Sequence, residues 1–348
     1  MRITELEAGG HELLLSCVDE SAGYRGFIAV HSTRLGPAVG GARFLDYASD
    51  EEAVADALRL SRGMTYKNAL AGLPLGGGKS VIVGDNRTRE RESIFRAHGR
   101  FVETLGGRYI TAEDVGTSPA DMEIVRAETR HVAGLLGRSG DPSPATARGV
   151  LRAIQASARF RWGSDELKGR RIAVQGLGHV GHNLARELRA AGARLFVSDT
   201  DEARVRRAVE EFEAARAAPW EIYSVGADIF APCALGGVLN DETIPRLPVE
   251  VVAGAANNQL FEARHGDALA ARGILYAPDY VANAGGVING CVELLGWQPE
   301  DARRKVEAIY DTLLNIFRLA HADSVPPHVA ADRLAEERLN KEGIGVRG

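Results

Sequence analysis

The chain has 348 residues, 45% of them hydrophobic and 26% charged, which is too long for one ordinary core, fits two domains, and excludes a disordered or membrane-embedded class. Lys plus Arg number 42 against 47 Asp plus Glu, a net charge of −5, so no basic excess is available for nucleic-acid phosphates, and no run reaches the ~18 apolar residues of a membrane span. Cys17, Cys233 and Cys291 are isolated and form no CxxC pair, which excludes a disulfide framework or zinc site and leads us to expect three buried thiols in a cytoplasmic protein.

In chain order, Gly26 to His31 reads as a strand, and Ser49 to Met64 as a helix, acidic at its start and apolar at helical spacing. A glycine-rich loop, Gly72 to Gly78, leads into a short apolar strand, Ser80 to Val83. Ser93 to Leu105 reads as an amphipathic helix and Arg108 to Thr111 as a strand. Ser118 to Thr129 reads as a helix with Ser118 as N-cap and Pro119 at its first position. Gly137 to Pro144, with two prolines and two glycines, is the expected linker. Beyond it come a helix, Ala145 to Arg161, and then a regular alternation: strand Arg171 to Gln175, helix Val180 to Ala191, strand Leu195 to Asp199, helix Glu202 to Ala217. Such alternation builds a parallel sheet with right-handed crossovers. Short strands follow at Asp228 to Phe230, Val251 to Ala253 and Ile274 to Ala277, then a helical stretch, Asp301 to Ala320, and a polar helix, Val329 to Leu339. The fold class expected is α/β with two domains separated by a cleft: residues 1–140 plus 325–348 for substrate binding, catalysis and oligomerisation, and 141–324 for a Rossmann-type dinucleotide domain.

The strongest local signal is Gly176-Leu177-Gly178-His179-Val180-Gly181, a GxGxxG between an apolar strand and a helix. Gly176 permits the turn, Gly178 lets the backbone approach a pyrophosphate, and Gly181 lets the helix pack on the sheet. The helix N-terminus then offers unpaired N–H groups to the phosphates, so no basic side chain is required. Asp199, at the end of the second strand, is placed to accept the ribose hydroxyls and to repel a 2′-phosphate, which favours NAD; Arg204, Arg206 and Arg207 are the residues that would have to hold that phosphate. His179 and His182 stand three apart on the helix, but without a third ligand they read as solvated or loop-facing histidines, and no metal is expected.

Met64-Thr65-Tyr66-Lys67-Asn68 and Leu75-Gly76-Gly77-Gly78-Lys79-Ser80 place two lysines twelve residues apart around the glycines. A phosphate-binding GxxxxGK[ST] would need glycine at position 73, which is Leu73, and the β-branched run after Lys79 points to a strand, not the helix such a loop must open. Nucleotide hydrolysis is therefore a weak alternative. Two lysines facing a nicotinamide can divide the work: one fixes a substrate carboxylate and the other, its pKa lowered by burial and its neighbour, acts at the reacting carbon. Asp114, at the end of the Arg108 to Thr111 strand, supplies the proton-transfer group; its bland reading is a turn cap.

These residues resemble the amino acid dehydrogenase family that includes glutamate, leucine, valine, phenylalanine and tryptophan dehydrogenases. The resemblance runs through Gly36 to Gly41, Met64 to Lys67, Gly76 to Lys79, Ala112 to Thr117, Pro142 to Thr146, Gly176 to Gly181, Ala253 to Gln259 and Pro278 to Val287. It implies that Lys67 holds the substrate α-carboxylate, Lys79 activates water and polarises the reacting carbon, and Asp114 takes protons from the amine. It further implies that Asn257 or Asn258 orients the carboxylate and that Gly40 and Gly41 let the backbone close on the substrate. Thr146 and Asn283 would hold the nicotinamide carboxamide, and the cofactor contacts are completed by His179, Val180, Thr200, Cys233 and Ala234. The implied reaction is reversible oxidative deamination with NAD, with an amino acid, a 2-oxo acid and ammonia as partners, in a symmetric homo-oligomer of up to eight copies.

The same resemblance implies that the substrate side chain is selected by Val39, Ala112, Val287 and Gly290, all small or apolar, with no cation to pair with a glutamate side chain. A hydrophobic amino acid is favoured, branched-chain over aromatic by a narrow margin. Val39 and Gly290 widen the pocket, and Gly290 to Trp297 is reminiscent of phenylalanine dehydrogenases. An NAD-binding regulator without turnover is the further alternative.

Overall fold

In the computed structural model the described residues are 1–135 and 140–342, so the expected linker lies partly outside them. The chain separates into two compact units, one of residues 1–140, 290–297 and 335–348, the other of 141–289 and 298–334.

The first unit is a six-stranded mixed sheet. Its elements are β1 (Arg2–Glu5), β2 (Leu13–Asp19), β3 (Tyr24–Ser32), β4 (Ala38–Leu45), α1 (Asp50–Leu70), β5 (Gly76–Val83), α2 (Arg91–Glu103), β6 (Tyr109–Glu113) and α3 (Pro119–Arg126). The sheet order is β1-β2-β3-β5-β4-β6. Strands β1, β2, β3 and β5 pair antiparallel, whereas β5, β4 and β6 run parallel, which is why α1 and α2 must intervene as crossovers. Period-two alternation on β3 sends Phe27 and Ala29 into one core with Ala53 and Ala57 of α1. Ile28 and Val30 enter the opposite core, with Phe95 and Phe101 of α2 and Met122 and Val125 of α3. Ser118 caps α3 in a full capping box with Asp121, and Pro119 occupies the first turn, as the sequence leads one to expect.

The second unit holds α4 (Ser143–Trp162), β7 (Arg171–Gln175), α5 (His179–Ala190), β8 (Arg194–Ser198), α6 (Glu202–Phe212), β9 (Ala215–Arg216), β10 (Ile229–Pro232), β11 (Val251–Val252), α7 (Arg264–Ala271), β12 (Leu275–Tyr276) and α8 (Asp279–Ala282). The chain continues through α9 (Gly285–Leu294), α10 (Pro299–Glu307), α11 (Ile309–Ala322) and α12 (Pro327–Glu342). All six strands are parallel, in the order β12-β11-β10-β7-β8-β9. This is the dinucleotide-binding arrangement, with the chain reversing direction across the sheet between β7 and β10, where ligands of such sheets bind.

Several expected elements differ from those observed. Gly76, Gly77 and Gly78 belong to β5 and not to a loop, and α1 runs on to Leu70, so Lys67 sits in its last turn. The expected helix to Ala217 stops at Phe212, because Glu213 turns left-handed (φ 53°) and releases the chain into β9. The stretch Asp301 to Ala320 is two helices broken at Ala308. Strands β1, β2 and β4 had no counterpart in the sequence reading. Cys233 is only partly buried, unlike Cys17 and Cys291.

Candidate active site

Lys79 lies mid-strand on β5 at only 5% exposure. An ammonium there needs a carboxylate, and its Nζ donates to Asp114 Oδ2 at 2.7 Å. The same oxygen accepts from Arg43 Nε at 2.9 Å. Arg43 reaches on to Asp56 of α1 at 3.0 Å, where the Tyr47 hydroxyl (2.8 Å) and Arg59 (2.6 Å) also donate. Burial acts to raise the Asp114 carboxyl, but Lys79 and Arg43 outweigh it and hold it well below the usual carboxylate range. Burial, the largest influence on Lys79, pushes its ammonium down; Asp114 opposes this and Arg43 reinforces it. A carboxylate hydrogen-bonded at 2.7 Å to a lysine ammonium that burial makes more acidic forms a path along which a proton can pass.

The loop carrying Asp114 is fixed by the chain itself. Asp114 N–H donates to Thr117 Oγ1 at 2.8 Å, and the single proton of that hydroxyl is shared between the carbonyls of Asp114 (2.9 Å) and Ala42 (3.1 Å). Arg91 bonds the Gly116 carbonyl at 2.9 Å and the Asp121 carboxylate at 2.7 Å. Sequence reasoning missed Arg43, Asp56 and Tyr47. The available signal was a charged residue within an apolar strand, two positions after Gly41.

The glycines beside this cluster have a reason other than the one expected. A Cβ at Gly40 would fall 1.8 Å from the Gly78 carbonyl oxygen, and one at Gly41 would fall 2.4 Å from that of Glu113. Glycine is therefore imposed by the neighbouring strands, before any substrate is considered. Gly77 likewise lies against Thr65 and Gly78 against the Tyr109 ring, which draws α1, and with it Lys67, close to β5. Lys67 is half-buried at the C-terminal end of α1, where the helix dipole favours a cation. Val39 is buried on β4 (4% exposed), and Ala112 on β6 pairs with Gly41. Val287 and Gly290 lie on α9, and a Cβ at Gly290 would meet nothing within 4 Å.

In the second unit the glycine roles are visible in the geometry. Gly176 has φ +94°, which disfavours any side chain; a Cβ at Gly178 would meet nothing within 4 Å; one at Gly181 would sit 1.9 Å from the Gly176 carbonyl oxygen. Gly178 is also the N-cap of α5 and supplies no side chain of its own, so the helix N–H groups stay available to an anion, with His179 and Val180 in the first turn. Asp199 follows β8 and accepts from Leu177 N–H (2.6 Å) and Asp201 N–H (2.8 Å), tying the glycine turn to the start of α6. Thr200 beside it is exposed. Arg204 is 3.4 Å from Asp201 and Arg207 is 2.6 Å from Glu211, so both already have carboxylate partners. Cys233 and Ala234 follow β10 next to the glycine turn, Ala234 within 2.7 Å of where a Gly176 Cβ would stand.

Asn283 is buried and donates to Asn257 Oδ1 (2.8 Å) and to the Ala255 carbonyl (3.1 Å), while its own Oδ1 is buried without a partner. An orphaned acceptor of this kind fits a carboxamide N–H donor. Thr146, in the first turn of α4, donates to the Pro142 carbonyl at 3.0 Å and lies beside Gly286. Asn258 adopts a left-handed conformation (φ 51°), and its N–H is bonded to Asp279. The turn, the open helix terminus and the orphaned amide oxygen together fit a nicotinamide dinucleotide. His182 is not solvated: it packs on Phe212 with Nε2 3.0 Å from Glu211. Among the described residues no cluster of His, Cys, Asp and Glu could hold a metal ion, and no helix is long and apolar enough to cross a membrane.

Two family models match the chain: the Glu/Leu/Phe/Val dehydrogenase dimerisation domain over residues 15–131, and the Glutamate/Leucine/Phenylalanine/Valine dehydrogenase domain over 197–343. Leucine dehydrogenase of Geobacillus stearothermophilus is 55% identical over 96% of this chain and 92% of its own length. Valine dehydrogenase of Streptomyces virginiae is 49% identical over 96% of this chain and 95% of its own. Among solved structures, that of L-tryptophan dehydrogenase from Nostoc punctiforme superposes with a TM-score of 0.85 at 48% identity, covering 96% of this chain and 97% of the other.

Proposed function

The chain belongs to the glutamate, leucine, phenylalanine and valine dehydrogenase family, and on that premise we propose that it catalyses the NAD-dependent oxidative deamination of a branched-chain, leucine-like L-amino acid. The balance is amino acid plus NAD plus water giving 2-oxo acid, ammonium, NADH and a proton, reversibly. The observation that carries this reading is the buried Lys79–Asp114 pair, 2.7 Å apart with Lys79 at 5% exposure, on a domain whose partner unit carries a dinucleotide fingerprint.

NAD, when bound, supplies the hydride acceptor for the substrate α-carbon. Lys67 holds the α-carboxylate as a cation. Asp114 takes a proton from the substrate ammonium, and hydride loss then leaves an iminium. Lys79, in its neutral form, removes a proton from the water that adds to the iminium carbon; a proton passes through Asp114 to the nitrogen, which leaves as ammonia while the new hydroxyl gives up its proton and becomes the carbonyl. Asn257 or Asn258 orients the carboxylate, and Thr146 and Asn283 hold the carboxamide. The preference for NAD over NADP rests on the Asp199 carboxylate; of the three candidate cations, Arg204 is paired with Asp201 and lies 3.8 Å from Asp199, and Arg207 is paired with Glu211.

Val39, Ala112, Val287 and Gly290 offer a substrate side chain no charge. The open space at Gly290 favours aromatic amino acids as a second reading. Self-association as a symmetric homo-oligomer is supported by β1, an edge strand exposed along its whole length. Lys79→Ala and Asp114→Asn test the scheme: each should abolish turnover while NADH binding, followed by fluorescence, is retained. Turnover near the wild-type rate in either variant overturns these roles.

A further inference from the structure

The proposed mechanism leaves Arg43, Tyr47, Asp56 and Arg59 without a part, although Arg43 and Asp56, with 13% of each side chain exposed, are more enclosed than Asp114 at 17%. Arg43 binds the very oxygen of Asp114 that holds Lys79, and neither cation binds Oδ1. Its planar fork spans two elements, Nε to Asp114 and a terminal nitrogen to Asp56, so its direction is fixed from α1. Asp56 in turn is clamped by Tyr47 and Arg59. We propose that Arg43 is a positioning residue for this reaction: held by Asp56, it pins Asp114 Oδ2 so that Oδ1 faces the amine, and its fixed positive charge makes Lys79 the member of the cluster that releases a proton.

The inference rests on Lys79 acting as the base in the reaction proposed above, but its electrostatic part stands on geometry alone. A lone buried Lys–Asp pair is neutral overall and resists losing the lysine proton. A permanent guanidinium on the same carboxylate oxygen gives the cluster a net positive charge, from which an ammonium proton leaves more easily. Asp56, on the far side of Arg43, tempers this effect. The titratable and charged groups facing the pair are Arg43 on β4, Tyr47 after it, Asp56 on α1, and Tyr109 on β6, with Arg59 behind Asp56. The direction of the Lys79 shift agrees: Arg43 lowers it, and Asp114 and Asp56 raise it.

The two neighbours must then act in opposite senses, which a loss of structure would not mimic. The chain has five lysines, Lys67, Lys79, Lys168, Lys305 and Lys341, so ¹³Cε-lysine labelling gives a small set of signals, with Lys79 assigned by Lys79→Arg. Arg43→Gln should move the Lys79 titration up by at least about one pH unit. Asp56→Asn should move it down, and Arg43→Lys, which keeps the charge, should return it towards wild type. The acidic limb of the kcat/KM profile for L-leucine oxidation should follow the same three shifts, with kcat depressed in Arg43→Lys because the fork is lost. Unmoved titrations in Arg43→Gln and Asp56→Asn, or shifts of the same sign in both, overturn the inference. A wild-type enzyme that oxidises no amino acid, while the titrations move in opposite senses, overturns the proposed reaction and leaves the electrostatic coupling standing.

Discussion

Gly178→Ala separates cofactor recognition from folding. Gly178 has φ −64° and ψ −167°, backbone that alanine adopts, and an added methyl meets no atom within 4 Å. The fold therefore pays at most the N-cap difference between glycine and alanine, about 1 kcal/mol or less, which for a domain of this size lowers Tm by no more than about 4 °C. The same methyl occupies the space through which backbone N–H groups approach the pyrophosphate. Losing that contact should weaken NADH binding at least tenfold, or about 1.4 kcal/mol. Gly181→Ala is the control with the opposite signature. Its methyl would sit 1.9 Å from the Gly176 carbonyl oxygen, so helix and turn must separate at a cost of about 1–3 kcal/mol, lowering Tm by roughly 2–12 °C. Thermal unfolding without ligand and fluorescence titration with NADH measure the two quantities separately. If Gly178→Ala binds NADH as tightly as wild type, the open space above Gly178 is not the pyrophosphate site.

Further outcomes follow from other residues. Asp199→Asn keeps an oxygen for one of its two backbone donors, Leu177 N–H and Asp201 N–H, but removes the charge that opposes a 2′-phosphate, so the NAD-to-NADP ratio of kcat/KM should fall at least about tenfold; an unchanged ratio refutes that role. Asp114→Asn leaves Lys79 and Arg43 enclosed without their shared carboxylate and should cost about 3–5 kcal/mol of stability in urea unfolding, and a loss under about 1 kcal/mol would contradict the buried pairing described here. His98, fully buried, is pushed down to about 3 by burial, from 6.5. Between those values the unfolded chain binds the proton that the folded one refuses, so stability falls as pH drops below 6.5, by about 1.4 kcal/mol per pH unit from this group. His98→Gln should make the urea midpoint less pH-dependent across that range, and an identical slope would exclude His98 as the cause.

The dinucleotide unit was legible because local signals agree there: an apolar strand, three glycines at fixed offsets, a helix and a carboxylate all fall in one short stretch. The first unit was less legible for a physical reason. Strand β4 contains Gly40 and Gly41, and β5 begins with three glycines; glycine has low strand propensity and reads as loop. What holds these residues in strands is their pairing within the β3, β5, β4 and β6 ladder, and glycine is required there because a Cβ has no room against Gly78, Glu113, Thr65 and Tyr109, tertiary facts with no local trace. Lys67, Lys79 and Asp114 were recognisable through motif and resemblance. Structure brings two of them together, Lys79 and Asp114, and adds Arg43 and Asp56, whose partners lie on separate elements and whose residue types are common on surfaces. His182 shows the converse: its spacing from His179 suggested a solvated residue, and packing against Phe212 buries it.

The coupling of amine oxidation to nicotinamide reduction is tested by incubating the purified protein with NAD and a panel of L-amino acids while following NADH absorbance and released ammonia together. Equimolar NADH and ammonia are expected with L-leucine and its branched-chain relatives, with a much lower rate for L-glutamate and little response when NADP replaces NAD. NADH without ammonia, or no NADH with any amino acid of the panel, would contradict that coupling.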